Sequence, residues 1–392
     1  MEVEADPKQS KTTKCKQNFA NPSLPNELIT DILERLHVKS LLRFKCVSKD
    51  WLSIISSPQF VNTHLTLSAN DYFWHRLLLK LNHNFKHCFV SSIFDEAVIE
   101  TFDLDFPIKN PDTSFDIMGS VNGLICLLIG LNRLVLWNPS TRKFKQLPDL
   151  MPKHTDDYNF NYGFEYDEVH DDYKVVGIFC TSTHGYVCVY SLKTNSWRRL
   201  GDMRGGLLYN GSAKLVHGKF HWATMHAGGW GVGSIDLVEE RADGWGITSI
   251  DLVDEKCRKV TRDDMWVMKE YGVKESWIKL YTFRYPNVLK DYMISPPLCM
   301  SNEGEILHVV GSTFAIYNPV YRSFTSPKVT NIDGSVEAKL YIESLEVFLS
   351  ALIFHLIQYL HPHPGKVELL IYELKGFQQL SVPRNPFYDL HR

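Results

Sequence analysis

Beyond Asn70 the chain repeats one local arrangement: an apolar strand, a polar turn, then a second strand opening on an aromatic or basic residue. It runs from Leu134 to Phe144 (LVLWNPSTRKF), from Val189 to Trp197 (VYSLKTNSW), from Ile250 to Lys256 (IDLVDEK) and from Ala315 to Phe324 (AIYNPVYRSF). A further copy spans Trp266 to Trp277. Gly-bounded strand pairs stand upstream of several copies, as in Val121–Cys126 (VNGLIC) and Val216–Trp222 (VHGKFHW), where the turn residues suit tight hairpins. The copies are spaced mostly at about fifty to sixty residues, the scale of one four-stranded blade with a loop. So many short strands leave many edges, and radial repetition protects them. A β-propeller is therefore the expected architecture, with a β-sandwich as its competitor. Hydrophobic residues at 44% of 392 supply enough core for it.

Before Asn70 the pattern is helical. Leu24, Leu28, Ile29, Ile32, Leu33 and Leu36 share one helix face. Leu41, Leu42, Phe44, Cys46 and Val47 follow Ser40, and Trp51, Ile54 and Ile55 make a third apolar turn that Pro58 stops. Three short helices in about forty residues cannot hide this much apolar surface among themselves. Surplus apolar surface on a small unit argues for a permanent partner.

The segment resembles an F-box. The carrying residues are Leu24-Pro25, the helix positions Glu27, Ile32, Leu33 and Leu36, the run Lys39–Phe44 (KSLLRF), the run Cys46–Trp51 (CVSKDW) and Ser57–Phe60 (SPQF). His37 departs from the pattern, since plant relatives usually carry proline there. The resemblance implies docking on the Skp-family adaptor of a cullin–RING ubiquitin ligase. The adaptor-binding residues it implies are Leu24, Pro25, Ile32, Leu36, Leu41, Leu42, Val47 and Trp51.

The strand region is similar to the plant F-box-associated interaction domain of F-box/kelch-type and S-locus F-box proteins. The matching stretches are Gly119–Leu124 (GSVNGL), Trp137–Arg142 (WNPSTR), Gly163-Phe164 through Asp171–Val176 (DDYKVV), and Val267–Trp277 (VMKEYGVKESW). The fold class expected is a small all-α three-helix F-box module followed by a large all-β domain, a kelch-like β-propeller with one irregular blade. The expected division is a disordered tail over 1–20, the F-box over 21–66, the propeller over 67–345 and a divergent tail over 346–392.

The irregular blade is expected because Gly229–Glu240 is echoed by Gly244–Glu255 at a constant offset, a tandem duplication. Directly after it, Arg258–Asp264 is too short for the strand pair that relatives place there. Val347–Leu360 (VFLSALIFHLIQYL) is the most apolar run in the chain. It is shorter than the ~20 residues of a bilayer span, and its spacing suits a buried helix.

Catalytic and metal constellations are weak. Gly229–Gly233 (GWGVG) superficially resembles a phosphate loop but has no helix after it. Asp167, Glu168, Asp171 and Asp172 lack calcium-loop spacing, and His83, His87 and Cys88 lack a fourth ligand. His361 and His363 lie between prolines in an expected loop. No cofactor, metal or catalytic residue is expected. A net charge of -3 gives no footprint for nucleic acid, and eight scattered cysteines give no disulfide framework. The lysine-rich start has no secretory core, so cytoplasm or nucleus is the expected setting.

The function expected is that of a substrate receptor of an SCF-type ubiquitin ligase, bridging adaptor and cullin to an unidentified target protein. No membrane or nucleic-acid partner is expected. The alternatives are a propeller that binds a glycan or small molecule, with Trp230 and Trp245 as its platform, and a degraded family member that binds the adaptor but no target.

Overall fold

The computed structural model describes residues 24–346, apart from 82–83, 109–113, 131–132, 150–158, 181–183, 205–206, 209–213, 217–218, 227–228, 237–247, 252–263, 271–272, 274–275, 283–296, 311–312 and 333–335. The expected N-terminal tail, the apolar run at 347–360 and the divergent end of the chain lie outside the described residues, as do Trp245, His83, His361 and His363.

The described residues begin with four helices: α1 (Asn26–Leu33), α2 (Val38–Phe44), α3 (Lys49–Ser56) and α4 (Pro58–Asn70). This is one more than the three-helix reading. Pro58 ends α3, but it also occupies the first turn of α4, where its missing N–H costs nothing. Ser57 Oγ caps α4 by accepting the Phe60 N–H at 3.2 Å, and Ser48 Oγ caps α3 through the Trp51 N–H at 3.1 Å.

Among the described residues six antiparallel sheets follow. The first blade joins His75–Lys80, Phe85–Phe89 and Phe102–Leu104 to a strand from the far end of the domain, Glu337–Ile342. That strand pairs from His75 opposite Ile342 to Lys80 opposite Glu337, closing the ring. A second clasp is parallel: Val98–Ile99 pairs with Lys328–Val329, fixed by bonds from Thr101 Oγ1 to the Thr330 carbonyl and from Thr330 Oγ1 to the Ile99 carbonyl. Phe115–Val121, Leu124–Ile129, Arg133–Asn138 and Lys143–Gln146 make the second blade, and four strands from Asn159 to Arg204 the third. Cys299–Met300, Ile306–Val310, Thr313–Asn318 and Ser323–Thr325 make the sixth.

The irregular region shows how the duplication is used. In the fourth blade Leu207–Leu208 and Lys214–Val216 both pair with Lys219–His226, followed by Gly229–Asp236 and Thr248–Asp251. Thr248–Asp251 belongs to the second copy of the duplication and pairs with the first, Val232 opposite Ile250. The duplicate therefore supplies the blade's outer strand. The stretch Ile250–Lys256, expected to hold a strand, a turn and a second strand, contributes this outer strand, and its remainder lies outside the described residues. The fifth sheet has two strands among the described residues, Asp264–Met268 and Trp277–Thr282.

Packing explains the uninterrupted apolar runs. Leu124, Cys126, Leu128, Leu134 and Leu136 face the third blade, where Tyr162, Phe164, Val175 and Tyr190 meet them. The alternate residues Ile125, Leu127, Val135 and Trp137 face the first blade's Leu78, Phe85 and Tyr341. Leu77 and Leu79 turn the other way, to Leu307, Val309, Phe314 and Ile316 of the sixth. The first and second sheets are thus buried on both faces, which removes the polar half of the usual alternation.

Candidate functional site

The helical module is built on an inner row. Leu33, Val38, Leu41, Ile55 and Phe60 are buried together, with Ile29, Leu36, Leu42, Phe44, Trp51 and Ile54 packed around them. A second row of α1, one residue behind, points away. Leu28 and Ile32, four residues apart, are 49% and 53% exposed, and Leu24, just before the helix at its Pro25 N-cap, is 56% exposed. Val47 at 60% and Leu52 at 46% are exposed on the rest of the module.

The expected docking residues therefore divide. Leu24, Pro25, Ile32 and Val47 are open to a partner, whereas Leu36, Leu42 and Trp51 are half-buried against the module core. Leu41 is fully buried, because the α2 face that carries it turns onto Leu33 and Ile55. Leu28 and Leu52, which were not among the expected docking residues, are exposed as well. The spacing of Leu28 with Leu24 and Ile32 was the available signal, but a single apolar face does not reveal which of two adjacent rows turns outward.

The module is seated on the propeller through the segment that follows the closing strand. Leu345 inserts into the module core beside Leu33 and Leu41. Asn138 holds the segment: its Nδ2 donates to the Ser344 carbonyl at 3.1 Å and the Glu346 carbonyl at 3.0 Å, and lies 3.2 Å from Ser344 Oγ. Gly123, at φ +79°, passes so close that a Cβ would lie 2.2 Å from Ser344 Oγ. Here glycine is required both by the left-handed turn and by the approach.

Glu343 adds an ion pair to the buried Arg76, Nε to Oε1 at 3.4 Å, and stands 3.9 Å from His37 Nδ1. The Arg76 guanidinium also covers the Phe89 ring at 3.7 Å. His37, the departure from the family pattern, packs at a tilt against Trp74 with ring centroids 4.6 Å apart. Its backbone (φ -59°, ψ 144°) is one that proline adopts, so the exchange leaves the loop intact and adds a contact. His64 Nε2 donates to the Leu36 carbonyl at 2.9 Å, and burial holds its pKa below the ordinary value. Burial likewise lowers the Lys45 pKa, helped by Lys143 of the second blade.

The constellations that suggested other chemistry have structural partners. His87 and Cys88 are consecutive on one strand and so face opposite ways. The His87 ring meets Phe102 and, through Nδ1, the Tyr341 hydroxyl at 3.2 Å; burial, with Arg76 and Lys39 nearby, lowers its pKa to about 4. Cys88 lies in the core, where burial pushes its thiol up to about 12. In the acidic cluster, Asp167 is bound by Lys174 Nζ at 2.5 Å and His170 Nδ1 at 2.7 Å. Asp172 accepts from Ser191 Oγ at 2.6 Å and the Lys193 N–H at 2.9 Å. Gly229–Asp236 is a strand paired on both sides. Among the described residues there is no group of His, Cys, Asp and Glu spaced to hold a metal ion, and no helix long and apolar enough to cross a membrane.

Comparison with known proteins finds matches in both the helical and the strand region. An F-box domain model matches residues 22–63, and an F-box associated beta propeller domain model matches residues 76–223. F-box/kelch-repeat protein At3g23880 of Arabidopsis thaliana is 28% identical over 361 residues, covering 84% of this chain and 97% of its own length. F-box protein CPR1 of the same plant is 27% identical, covering 82% and 88%. F-box protein At3g07870, also of Arabidopsis thaliana, is 30% identical over 349 residues, covering 73% of this chain and 82% of its own. With a helical module and a propeller matched in order, and identity running through both, the chain belongs to the plant F-box proteins that carry an F-box-associated β-propeller.

Proposed function

We propose that this protein is the substrate receptor of an SCF-type ubiquitin ligase, with the helical module bound to a Skp-family adaptor and the propeller presenting a target protein. The observation that carries the reading is the exposed pair Leu28 and Ile32, with Leu24 just before the helix, on a helix whose other apolar residues pack into the module core. Two large apolar side chains on one helix face, with Leu24 beside its start, form an anchor for a partner. Pro25, Val47 and Leu52 extend the candidate surface, and Leu36, Leu42 and Trp51 support it from within. Catalysis then belongs to the recruited conjugating enzyme, and the receptor contributes proximity by raising the target's effective concentration. The seating of the module at Leu345, Asn138 and Gly123 supports this role, because a target is delivered only if the two parts hold a fixed relation.

The test is co-purification of the full-length protein with a plant Skp-family adaptor and a cullin, beside Leu28→Asp/Ile32→Asp. Wild type retains both partners, and the variant loses the adaptor, with each anchor worth about 2 kcal/mol or more. Undiminished binding by the folded double variant would remove the docking assignment.

A further inference from the structure

Residues 343–346, directly after the closing strand, hold both parts of the molecule at once. On the ring side Glu343 pairs with the buried Arg76 of the first blade at 3.4 Å, and Asn138 of the second donates to the Ser344 and Glu346 carbonyls. On the module side Leu345, 3% exposed, completes a cluster otherwise made of Leu33, Val38, Leu41, Ile55 and Phe60. His37 of the module stands 3.9 Å from Glu343. The closing strand itself, Glu337–Ile342, is an edge of its sheet, and its ladder is to His75–Lys80 alone among the described residues. A strand bonded on one side opens at less cost than one held on both. The module has a matching weakness: a helical unit this small is marginal by itself, and withdrawing Leu345 leaves a cavity in its core. Leu345 lies three residues beyond Ile342, a reach of at most about 11 Å. Parting of the closing strand therefore draws Leu345 from the module, and loosening of the module frees the end of the strand.

We infer that the helical module and the ring-closing strand open as one cooperative unit through Leu345, so that a partner bound to the module tightens the closure of the propeller. By reciprocity, whatever holds the ring closed raises the affinity of the module for its own partner. The inference rests on the receptor reading for the identity of that partner but not for the coupling. A receptor built in this way offers its adaptor surface in full only when the ring that presents the target is closed.

The experiment follows hydrogen exchange in the full-length protein and its Leu345→Ala variant, alone and with a purified plant Skp-family adaptor. In wild type alone, the amides of α1, α2 and Glu337–Ile342 are expected to exchange through one opening, with the same dependence on added urea. Separate openings for helices and strand overturn the inference, and this arm needs neither variant nor partner. An opening shared by Asp172–Cys180 of the third blade also overturns it, because the whole molecule then unfolds together. Adaptor at one hundred times its Kd is expected to slow exchange in the closing strand by up to about hundredfold, the linkage limit for a ligand of the closed form alone. In Leu345→Ala the bound adaptor is expected to slow α1 and leave the closing strand unchanged. Equal slowing of the strand in both forms, or none in saturated wild type, overturns the coupling. If no form binds the adaptor while helices and strand still share one opening, the receptor reading fails and the cooperative unit stands.

Discussion

At the scale of single residues, burial separates side chains that the sequence places together. Leu41 and Leu28 both sit on short apolar helices, yet one is fully enclosed and the other half exposed. Leu41→Ala is expected to lower stability by about 2–5 kcal/mol, through lost transfer free energy and the cavity left among Leu33, Ile55 and Leu345. Its effect on adaptor binding, per folded molecule, should be small. Denaturant unfolding beside adaptor titration checks both halves, and a loss of affinity without loss of stability would place Leu41 at the interface after all. The helical periods that define the inner row were legible in the sequence. Which apolar row faced outward was not, because that depends on where Leu345, more than 300 residues later in the chain, enters the bundle.

At the scale of elements, the repeated turn has one chemical basis. Asn138 Oδ1 accepts the N–H groups of Ser140 and Thr141 at 2.9 and 3.2 Å, and Asn318 Oδ1 accepts those of Val320 and Tyr321 at 3.0 and 3.1 Å. Each turn then closes on an arginine of positive φ, Arg142 at 58° and Arg322 at 52°. Asparagine side chains fold back on the backbone in this way, which is why the strand–turn–strand unit could be read directly. The two sites differ in what else they hold. Asn138 also binds the buried segment at Ser344 and Glu346, whereas Asn318 Nδ2 reaches Glu305 at 2.9 Å. Asn138→Ala is therefore expected to cost more than Asn318→Ala, by about 1–3 kcal/mol for buried carbonyls left unpaired. Thermal unfolding of the two variants side by side decides it, and equal losses would mean that the turn, not the junction, is what Asn138 serves.

For the whole molecule, two buried titrating groups bracket the pH range of stability. His87 has its pKa lowered from 6.5 to about 4, so the unfolded chain takes up a proton that the fold refuses, and stability falls as pH drops from about 6.5 toward 4. Glu346 has its pKa raised from 4.5 to about 7 by burial, with Asp171 adding to it. The fold there keeps a proton that the unfolded chain releases, so stability falls as pH rises from about 4.5 to 7. His87→Gln should flatten the acid side of a urea-midpoint profile. Glu346→Gln should exceed wild type above pH 7 and match it below pH 4.5. A profile left unchanged by both substitutions would assign the pH dependence to other groups.

By itself, the sequence determined the order of a helical module and a multi-strand domain, the turns that join the strands, and the region where a duplication disturbs them. These follow from local periodicity, capping and turn chemistry, which act over a few residues. Only the tertiary structure decided that Glu337–Ile342 completes the first blade, that the duplicate serves as an outer strand, and that Leu345 fixes the module on the ring. Each depends on pairing or burial between residues far apart in the chain, where a strand's pattern shows that it needs a neighbour but not which neighbour it receives.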